Sequence, residues 1–167
     1  MTTLSNAFPQ DHGAGDDGDD GGAFDPASSP GANATDASGL ALQSSILLLE
    51  DNLNQADPLC ELLRFAGYAC VPARDIATAR AELAKPDRRF AVMVADLNLT
   101  RSDHVAFVRE ARSLPHHATL PVIIATGHDS REAREQAQRL GRTDYLVKPF
   151  ASVILLQLIA RWTGAKP

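Results

Sequence analysis

The sequence predicts a doubly wound α/β domain, in which helices cover both faces of a five-stranded parallel sheet. From about Ser44 onward, five short apolar runs of β type each lead into a segment with helical periodicity. The runs are continuously apolar, which is typical of strands buried on both faces of a parallel sheet. Right-handed crossovers between such strands place helices on both sides, and this gives the doubly wound arrangement.

The first two strand–helix units have clear boundaries. The run SILLLE (residues 45–50) precedes a helical pattern that ends at Gly67, and the run YACVPA (residues 68–73) precedes a second one. Asp75 is expected to cap the second helix, because a carboxylate there accepts a hydrogen bond from the first-turn backbone. Pro86 closes that helix, since the residue before a proline disfavours helical geometry.

The other three units follow the same pattern. The runs FAVMVAD (residues 90–96), LPVIIAT (residues 120–126) and DYLVK (residues 144–148) predict the third, fourth and fifth strands. A helical pattern follows each run, and the fourth helix ends at Gly141, as glycine is common directly after helices. The last helix is predicted over residues 151–162 and is strongly apolar.

The N-terminal segment differs from the rest of the chain in composition. Residues 1–43 contain seven aspartates, seven of the eleven glycines and no Lys or Arg. This segment has a net charge of −7 and the remaining residues have a net charge of +2, which together give the net charge of −5 of the full chain. A segment with so few large apolar side chains cannot offset the entropy of ordering. We therefore predict a disordered acidic tail over residues 1–43, a domain over residues 44–163 and a short C-terminal tail over residues 164–167. A solvated spacer is the favoured role of the acidic tail, and a partner-binding tail is the alternative.

Several classes of protein are excluded by what the sequence lacks. The N-terminus has no basic and apolar signal-peptide regions, and the apolar stretch of residues 153–160 is too short to span a bilayer. No Gly-rich nucleotide fingerprint or basic cluster points to nucleotide, nucleic acid or membrane binding. Cys60 and Cys70 form no CxxC motif and fall inside apolar patterns, so we predict reduced core thiols. A soluble cytoplasmic protein is expected.

Reactive side chains stand at the ends of four of the five predicted strands. Glu50 and Asp51 follow the first strand, Asp96 ends the third, Thr126 ends the fourth and Lys148 ends the fifth. Because parallel strands share one carboxyl edge, these groups are expected to meet in the crevice there. Taken singly, each has an ordinary interpretation, such as a helix cap, a turn former or a solvated charge. Their joint occurrence favours one shared site.

The chemistry of this predicted site points to a metal and a phosphoryl group. Clustered carboxylates repel one another and raise one another's pKa, and a divalent cation relieves that repulsion. Mg²⁺ suits such a site, since it takes one or two carboxylates together with waters and phosphate oxygens. A carboxylate beside Mg²⁺, a lysine and a hydroxyl is suited to accept a phosphoryl group, which makes Asp96 the nucleophile.

Four segments resemble the receiver domains of two-component response regulators, including the chemotaxis regulators. The segments are ILLLEDN at the first strand, VMVADLNL at the third, VIIATG at the fourth and DYLVKPF at the fifth, in the family's order and spacing. The resemblance covers roughly residues 44–163. It implies the flavodoxin-like strand order 2-1-3-4-5.

The resemblance assigns roles at the acidic end of the site. It implies that Asp96 is the phosphoacceptor and that Glu50 and Asp51 bind Mg²⁺ together with it. Asn98, two residues past the acceptor, would give its backbone carbonyl to the metal. Thr126 resembles the switch hydroxyl of the family.

Further roles are implied around the fourth and fifth strands. Gly127 would keep space open for the phosphoryl group, and Lys148 would form an ion pair with that group. The bond between Lys148 and Pro149 is where the family has a cis peptide, which X-Pro bonds adopt at low cost. Tyr145 matches the aromatic residue that moves with the threonine. For His128, a surface position and a functional one are both open.

The sequence departs from the family's pattern at three positions. Thr100 stands where a proline is usual, His104 where a glycine is usual, and Leu53 where a proline is common. We expect the first two to soften the loop after the third strand, which leaves its backbone conformation open. None of these departures removes a reactive group.

The function implied is that of a single-domain response regulator. Asp96 would accept a phosphoryl group from the phosphohistidine of a sensor kinase or phosphotransfer protein, in a Mg²⁺-dependent reaction. Such a protein is a phosphoacceptor that assists its own phosphorylation and dephosphorylation, and is not a classical enzyme. Its output would be partner binding or phosphorelay. The last helix has more apolar residues than one buried stripe needs, so a homodimer or partner contact through that face is expected.

Two alternatives stay open from the sequence. One is a receiver-like interaction module that is never phosphorylated, for which Thr100 and His104 leave room. The other is a phosphatase of the haloacid-dehalogenase type, whose Asp-x-Asp-x-Thr motif resembles the segment from Asp96 to Thr100. That motif needs a second aspartate as acid and base, and the chain has Asn98 there instead.

Overall fold

The computed structural model describes residues 44–165 and consists of one parallel sheet with helices on both faces. The elements in chain order are β1 (Ser45–Leu49), α1 (Leu53–Phe65), β2 (Ala69–Ala73), α2 (Ile76–Leu83), β3 (Val92–Ala95), α3 (Ser102–Ser113), a 3₁₀ turn (Pro115–His117), β4 (Val122–Thr126), α4 (Arg131–Leu140), β5 (Thr143–Val147) and α5 (Ser152–Thr163). The strand order is β2-β1-β3-β4-β5, with every pair parallel, so the predicted doubly wound sheet is confirmed. The predicted acidic tail lies outside the described residues and stays a prediction.

Alternate residues of the central strands point into two separate cores. On one face, Leu47, Met93 and Ile124 pack beneath α2, α3 and α4. On the other face, Ile46 and Val94 pack beneath α1 and α5. Burial on both faces explains why the strands are continuously apolar in the sequence. Among residues 44–165, no helix is long and apolar enough to cross a bilayer.

Local signals in the sequence explain several features of the elements. The Asp75 carboxylate accepts a hydrogen bond from the Thr78 backbone at 2.6 Å, so the predicted cap of α2 is present. Gly67 has a positive φ of 87°, which lets the chain turn directly after α1. Pro72 lies in β2, an edge strand, where a missing N–H removes no bond to an outer neighbour.

The two cysteines differ from the sequence prediction. The structure joins Cys60 of α1 to Cys70 of β2 in a disulfide, with their Cα atoms 5.4 Å apart. The prediction of reduced thiols was therefore wrong for this structure. The apolar pattern correctly placed both residues toward the interior, but it carried no information on which residues face each other. The short connection after α1 folds the helix back over the sheet and brings the two side chains together.

Arg112 links the C-terminal part of α3 to the neighbouring connections at the amino edge of the sheet. Its guanidinium donates to the carbonyls of Leu120, Leu140, Gly141 and Arg142 at 2.7–2.9 Å, and to the Thr143 hydroxyl at 3.2 Å. The planar group has five N–H donors in a fixed fork, so one side chain satisfies several loop carbonyls at once.

We expect Arg112→Met to lower the free energy of unfolding by about 3 kcal/mol, because several carbonyls lose a charged donor. Arg112→Lys should restore only part of this, since an ammonium cannot reproduce the fork. Urea denaturation measures both effects. Arg109→Met, at an exposed position on the same helix, is the control and should change stability by less than about 0.5 kcal/mol. Equal losses at the two positions would contradict the role of Arg112.

His117 is a buried titratable residue in the 3₁₀ turn. Its ring stacks against Phe90 with centroids 5.8 Å apart, and neither ring nitrogen has a hydrogen-bond partner within the described part of the chain. Burial lowers the pKa of His117 below its ordinary value of 6.5. The Leu83 backbone partly opposes this by favouring the protonated ring, which raises the pKa. The charges of Arg89 and His116 lower it further.

This depressed pKa predicts a loss of stability in acid. The unfolded chain binds the proton more tightly than the folded one, so the stabilisation present above pH 6.5 is lost as pH falls from 6.5 toward the folded-state pKa. His117→Phe should therefore flatten the stability profile between pH 7.5 and 5, measured by urea denaturation. His116→Phe, at an exposed histidine, is the control and should retain most of the wild-type slope, because its charge is the smallest of the effects on the pKa of His117. An unchanged slope in His117→Phe would contradict this origin.

Candidate functional site

The strand-end residues singled out in the sequence meet at the carboxyl edge of the sheet. Backbone hydrogen bonds join three of them to neighbouring strands. The backbone N–H of Glu50 donates to the Ala73 carbonyl at 3.0 Å, that of Asp96 to the Leu49 carbonyl at 2.8 Å, and that of Lys148 to the Thr126 carbonyl at 2.9 Å. Each residue thus continues the sheet hydrogen bonding one step past its own strand. Their side chains start from rigid positions, which is what a preorganised site requires.

The Lys148 ammonium is the centre of the site. Nζ donates to Glu50 Oε2 at 2.6 Å, to Asp96 Oδ2 at 2.8 Å and to Gln55 Oε1 at 2.9 Å. An ammonium has three donors, so these three acceptors use all of them. Burial works against the charge of Lys148, but the hydrogen bonds and charges of Asp96 and Glu50 outweigh it and raise the pKa of Lys148 above 10.5.

The two carboxylates of the first strand end lie in different environments. Glu50 is only 3% exposed, and its Oε1 accepts a hydrogen bond from the Asn52 backbone at 3.2 Å. Asp51 is exposed and lines a cavity of about 580 Å³ together with Asp96 and Asn98. The buried carboxylate is therefore committed to Lys148, while the exposed one faces the open space beside Asp96.

The predicted metal ligands are only partly gathered. Within residues 44–165, no group of three or more His, Cys, Asp or Glu side chains converges to hold a metal ion. Both Glu50 oxygens already accept hydrogen bonds and the residue is buried, whereas Asp51, Asp96 and Asn98 line the cavity and offer carboxylate and carbonyl oxygens. These are hard oxygen donors, and Mg²⁺ is satisfied by one or two carboxylates with water filling the other positions. The donor set thus fits Mg²⁺ with two carboxylates rather than three.

Thr126 and Tyr145 are connected through the backbone of His128. The Thr126 side chain is buried, and its Oγ1 accepts a hydrogen bond from the His128 N–H at 3.2 Å. The Tyr145 hydroxyl donates to the His128 carbonyl. The guanidinium of Arg134, paired with Asp129 at 2.7 Å, lies 5.2 Å from the Tyr145 ring centroid. The predicted switch pair therefore has a physical link between its two members.

Two expectations from the family pattern are met beside this link. The bond between Lys148 and Pro149 is a cis peptide. A Cβ built on Gly127 would meet no atom within 4 Å, so the space beside this residue is open.

The loop after β3 is ordered by the residues that depart from the family's pattern. Thr100 donates to Asn98 Oδ1 through its backbone N–H at 3.0 Å and its hydroxyl at 2.7 Å. His104 Nδ1 accepts a hydrogen bond from the Asn98 N–H at 2.9 Å. The structure therefore differs from the expected softening, because hydrogen bonds hold the loop where a proline and a glycine are usual.

Sequence reasoning missed Gln55 and left the role of His128 open. Gln55 supplies the third acceptor to Lys148 from the first turns of α1, and no spacing rule identifies an exposed glutamine for this role. His128 joins Thr126 to Tyr145 through its backbone N–H and carbonyl. Any residue type other than proline has these groups, so the sequence cannot predict the contact. Both depend on how a helix or loop sits over the strand ends.

We expect Lys148→Met to lower the free energy of unfolding by about 3 kcal/mol, since it leaves the buried Glu50 carboxylate without its cation. Gln55→Leu removes a neighbouring but exposed acceptor and is the matched control, with an expected loss below about 1 kcal/mol. Guanidinium or urea denaturation at pH 7.5 compares the two. Losses of similar size would show that the charge of Lys148 contributes little.

Comparison with known proteins identifies the family. Residues 46–160 match the response regulator receiver domain. The chain is 30% identical to response regulator protein FleR of Pseudomonas aeruginosa over 120 residues, which cover 72% of this chain and 24% of FleR. It is 34% identical to the swarming motility regulation protein RssB of Serratia marcescens over 117 residues, 70% of this chain and 50% of RssB. The match thus spans half or less of these two relatives.

Solved structures agree with this assignment. The chemotaxis response regulator CheY4 of Vibrio cholerae is 27% identical, with a TM-score of 0.62 over 72% of this chain and 98% of CheY4. The receiver domain of a Pseudomonas aeruginosa sensor histidine kinase, with a magnesium ion coordinated in its active site cleft, is 29% identical, with a TM-score of 0.62 over 74% of this chain and 99% of that one. The family match over residues 46–160, on a sheet of order 2-1-3-4-5, places this chain in the response regulator receiver domain family.

Proposed function

We propose that Asp96 accepts a phosphoryl group from the phosphohistidine of a sensor histidine kinase or phosphotransfer protein. The observation that carries this proposal is the Lys148 ammonium, which bridges Asp96 and the buried Glu50 at the carboxyl edge of the sheet. A lysine held beside one half-exposed carboxylate can stabilise the charge that develops on a transferring phosphoryl group. Membership of the receiver family supports the same reading.

The reaction uses groups already in place. A carboxylate oxygen of Asp96 forms the new O–P bond as the P–N bond to the donor imidazole breaks, and the imidazole leaves with the bonding electron pair. The Lys148 ammonium lies 2.8 Å from Asp96 Oδ2, so it is close enough to form an ion pair with an oxygen of the phosphoryl group on Asp96. The open space beside Gly127 accommodates the transferred group. The Thr126 hydroxyl lies at the neighbouring strand end, where it can donate to the same group.

Mg²⁺ is the cofactor that suits this chemistry. When bound, it supplies positive charge that lowers the repulsion between the site carboxylates and the incoming phosphoryl oxygens. The residues proposed to hold it are Asp51, Asp96 and the Asn98 carbonyl. Glu50 adds negative charge beside them while its own oxygens stay bonded to Lys148 and Asn52. A relative in the same family has a magnesium ion in its active site cleft.

The proposed output runs from Thr126 to the surface formed by β5 and the adjacent helices. When Thr126 Oγ1 turns toward a phosphoryl group, it no longer accepts the hydrogen bond from the His128 N–H. The His128 backbone is then less constrained, and so is the Tyr145 hydroxyl that donates to its carbonyl. On α5, Val153 and Ile154 are 55% and 41% exposed, whereas Leu155 and Ile159 are buried. This exposed pair is the proposed contact for an output partner or a second copy of the chain. The signal leaves by such binding or by phosphorelay.

We expect Asp96→Asn to abolish labelling by acetyl phosphate with Mg²⁺, because an amide cannot act as the nucleophile. EDTA should stop labelling of the wild type. The matched control is Asp103→Asn, which removes another carboxylate lining the same cavity and should label normally. Intact-protein mass spectrometry measures the added phosphoryl group, and circular dichroism checks the fold. Labelling that persists in folded Asp96→Asn would refute this acceptor, and a wild type that never labels would favour the non-phosphorylated module.

A further inference from the structure

Asn98, in the loop between β3 and α3, is held through its backbone and its side chain. Its N–H donates to His104 Nδ1 at 2.9 Å, and its carbonyl accepts from the Arg101 N–H at 3.0 Å. Its side-chain Oδ1 accepts from both the N–H and the hydroxyl of Thr100. A residue bonded through three separate groups has one strongly preferred backbone conformation.

Burial on either side of Asn98 adds to this constraint. Leu97 and Leu99 are each only 2% exposed and belong to the core beneath α2, α3 and α4. Asn98 lies between them, half-buried, and lines the cavity with Asp51 and Asp96. The two leucines therefore anchor the loop in the interior, while the hydrogen bonds set the orientation of the peptide groups at the cavity.

Of the hydrogen bonds that hold Asn98, the one to His104 joins the residues that are farthest apart in sequence. It lies in the first turn of α3, whose N-cap residue Arg101 forms no side-chain capping bond. Because its Nδ1 is the acceptor, the neutral ring carries its proton on Nε2. The bond therefore ties the loop backbone to a rigid helix, across six residues of sequence.

We propose that His104 is a positioning residue that fixes the Asn98 peptide so that its carbonyl is already directed for a metal ion beside Asp96. This inference rests on the proposed Mg²⁺-dependent function and extends it to a residue that touches neither the metal nor the phosphoryl group. A carbonyl oxygen has two lone pairs, so the bond from Arg101 leaves one for a cation. A loop that is ordered before binding loses less conformational entropy on binding, which strengthens the affinity.

The test compares two kinds of substitution at one position. His104→Phe keeps a planar ring without an acceptor, and His104→Gly, the residue usual in the family, removes the side chain. His104→Asn restores an acceptor, because its Oδ1 lies as many bonds from the backbone as Nδ1 does. His116→Phe, at an exposed histidine outside the cavity, is the matched control. Circular dichroism confirms that each variant is folded.

The first readout needs no metal and no phosphoryl donor. Amide hydrogen exchange of Asn98, followed by NMR on the metal-free full chain, should become about tenfold faster in His104→Phe and His104→Gly, which corresponds to the loss of a hydrogen bond of ~1.4 kcal/mol. It should return close to the wild-type rate in His104→Asn. The amide of Lys148, which bonds to Thr126, should be unaffected. Unchanged Asn98 exchange in both acceptor-free variants would overturn the proposal.

The second readout is the affinity for Mg²⁺ alone, from the shifts of the Asp96 and Asn98 amides during titration. The half-saturating Mg²⁺ concentration should rise about tenfold in the acceptor-free variants, as for other residues that orient metal ligands, and His104→Asn should bind like the wild type. If the wild type binds Mg²⁺ and the acceptor-free variants bind it equally well, the His104 proposal alone is overturned. If the wild type shows no Mg²⁺-dependent shifts, the metal part of the proposed function fails, and this inference fails with it.

Discussion

The ion pairs of Lys148 are the interaction on which the rest of the site depends. One ammonium at the end of β5 holds the carboxylates that follow β1 and β3, at 2.6 Å for Glu50 and 2.8 Å for Asp96. Two carboxylates this close repel each other, and the buried one has little water to stabilise its charge. The cation offsets both effects. Of the three strand-end carboxylates, Asp51 is the exposed one, and it lines the cavity beside Asp96.

The carboxyl edge of the sheet combines a rigid half, held by many hydrogen bonds, with a half held by fewer. The loop after β3 is anchored by buried leucines and by the bonds of Thr100 and His104 to Asn98. Across the site, the Thr126 and Tyr145 side chains each form one hydrogen bond to the backbone of His128, an exposed residue. In the proposed function, the rigid half holds metal and phosphoryl groups, while the other half carries the change toward α4 and α5 because few interactions have to break.

The amino edge of the sheet serves stability rather than chemistry. Arg112 satisfies four loop carbonyls there, and His117 is packed against Phe90 in the neighbouring turn. On the opposite face, the disulfide joins α1 to β2 close to the same edge. Cross-links at this edge hold the helices in place without restricting the loops at the other end. The cross-links at one edge therefore stabilise the domain without contacting the loops at the carboxyl edge.

The sequence by itself determined the fold and the meeting of three strand-end side chains. Continuous apolar runs identified strands buried on both faces, and the alignment of parallel strands implied that Glu50, Asp96 and Lys148 would meet. Local chemistry also identified the Asp75 cap, because the contact lies within three residues along the chain. These conclusions need only periodicity and short-range spacing. They were confirmed because the physical rules behind them act within one element or along one sheet edge.

Only the tertiary structure decided which side chains are partners. It placed Gln55 on Lys148, joined Cys60 to Cys70, and used His104 to hold the loop that was expected to soften. Each of these contacts depends on how a helix rotates and where it lies over the sheet, to within about an ångström. That arrangement results from the packing of the whole core. The spacing of residues along the chain does not determine how the helices are placed over the sheet. The sequence therefore indicates which groups approach the site but not which pairs form.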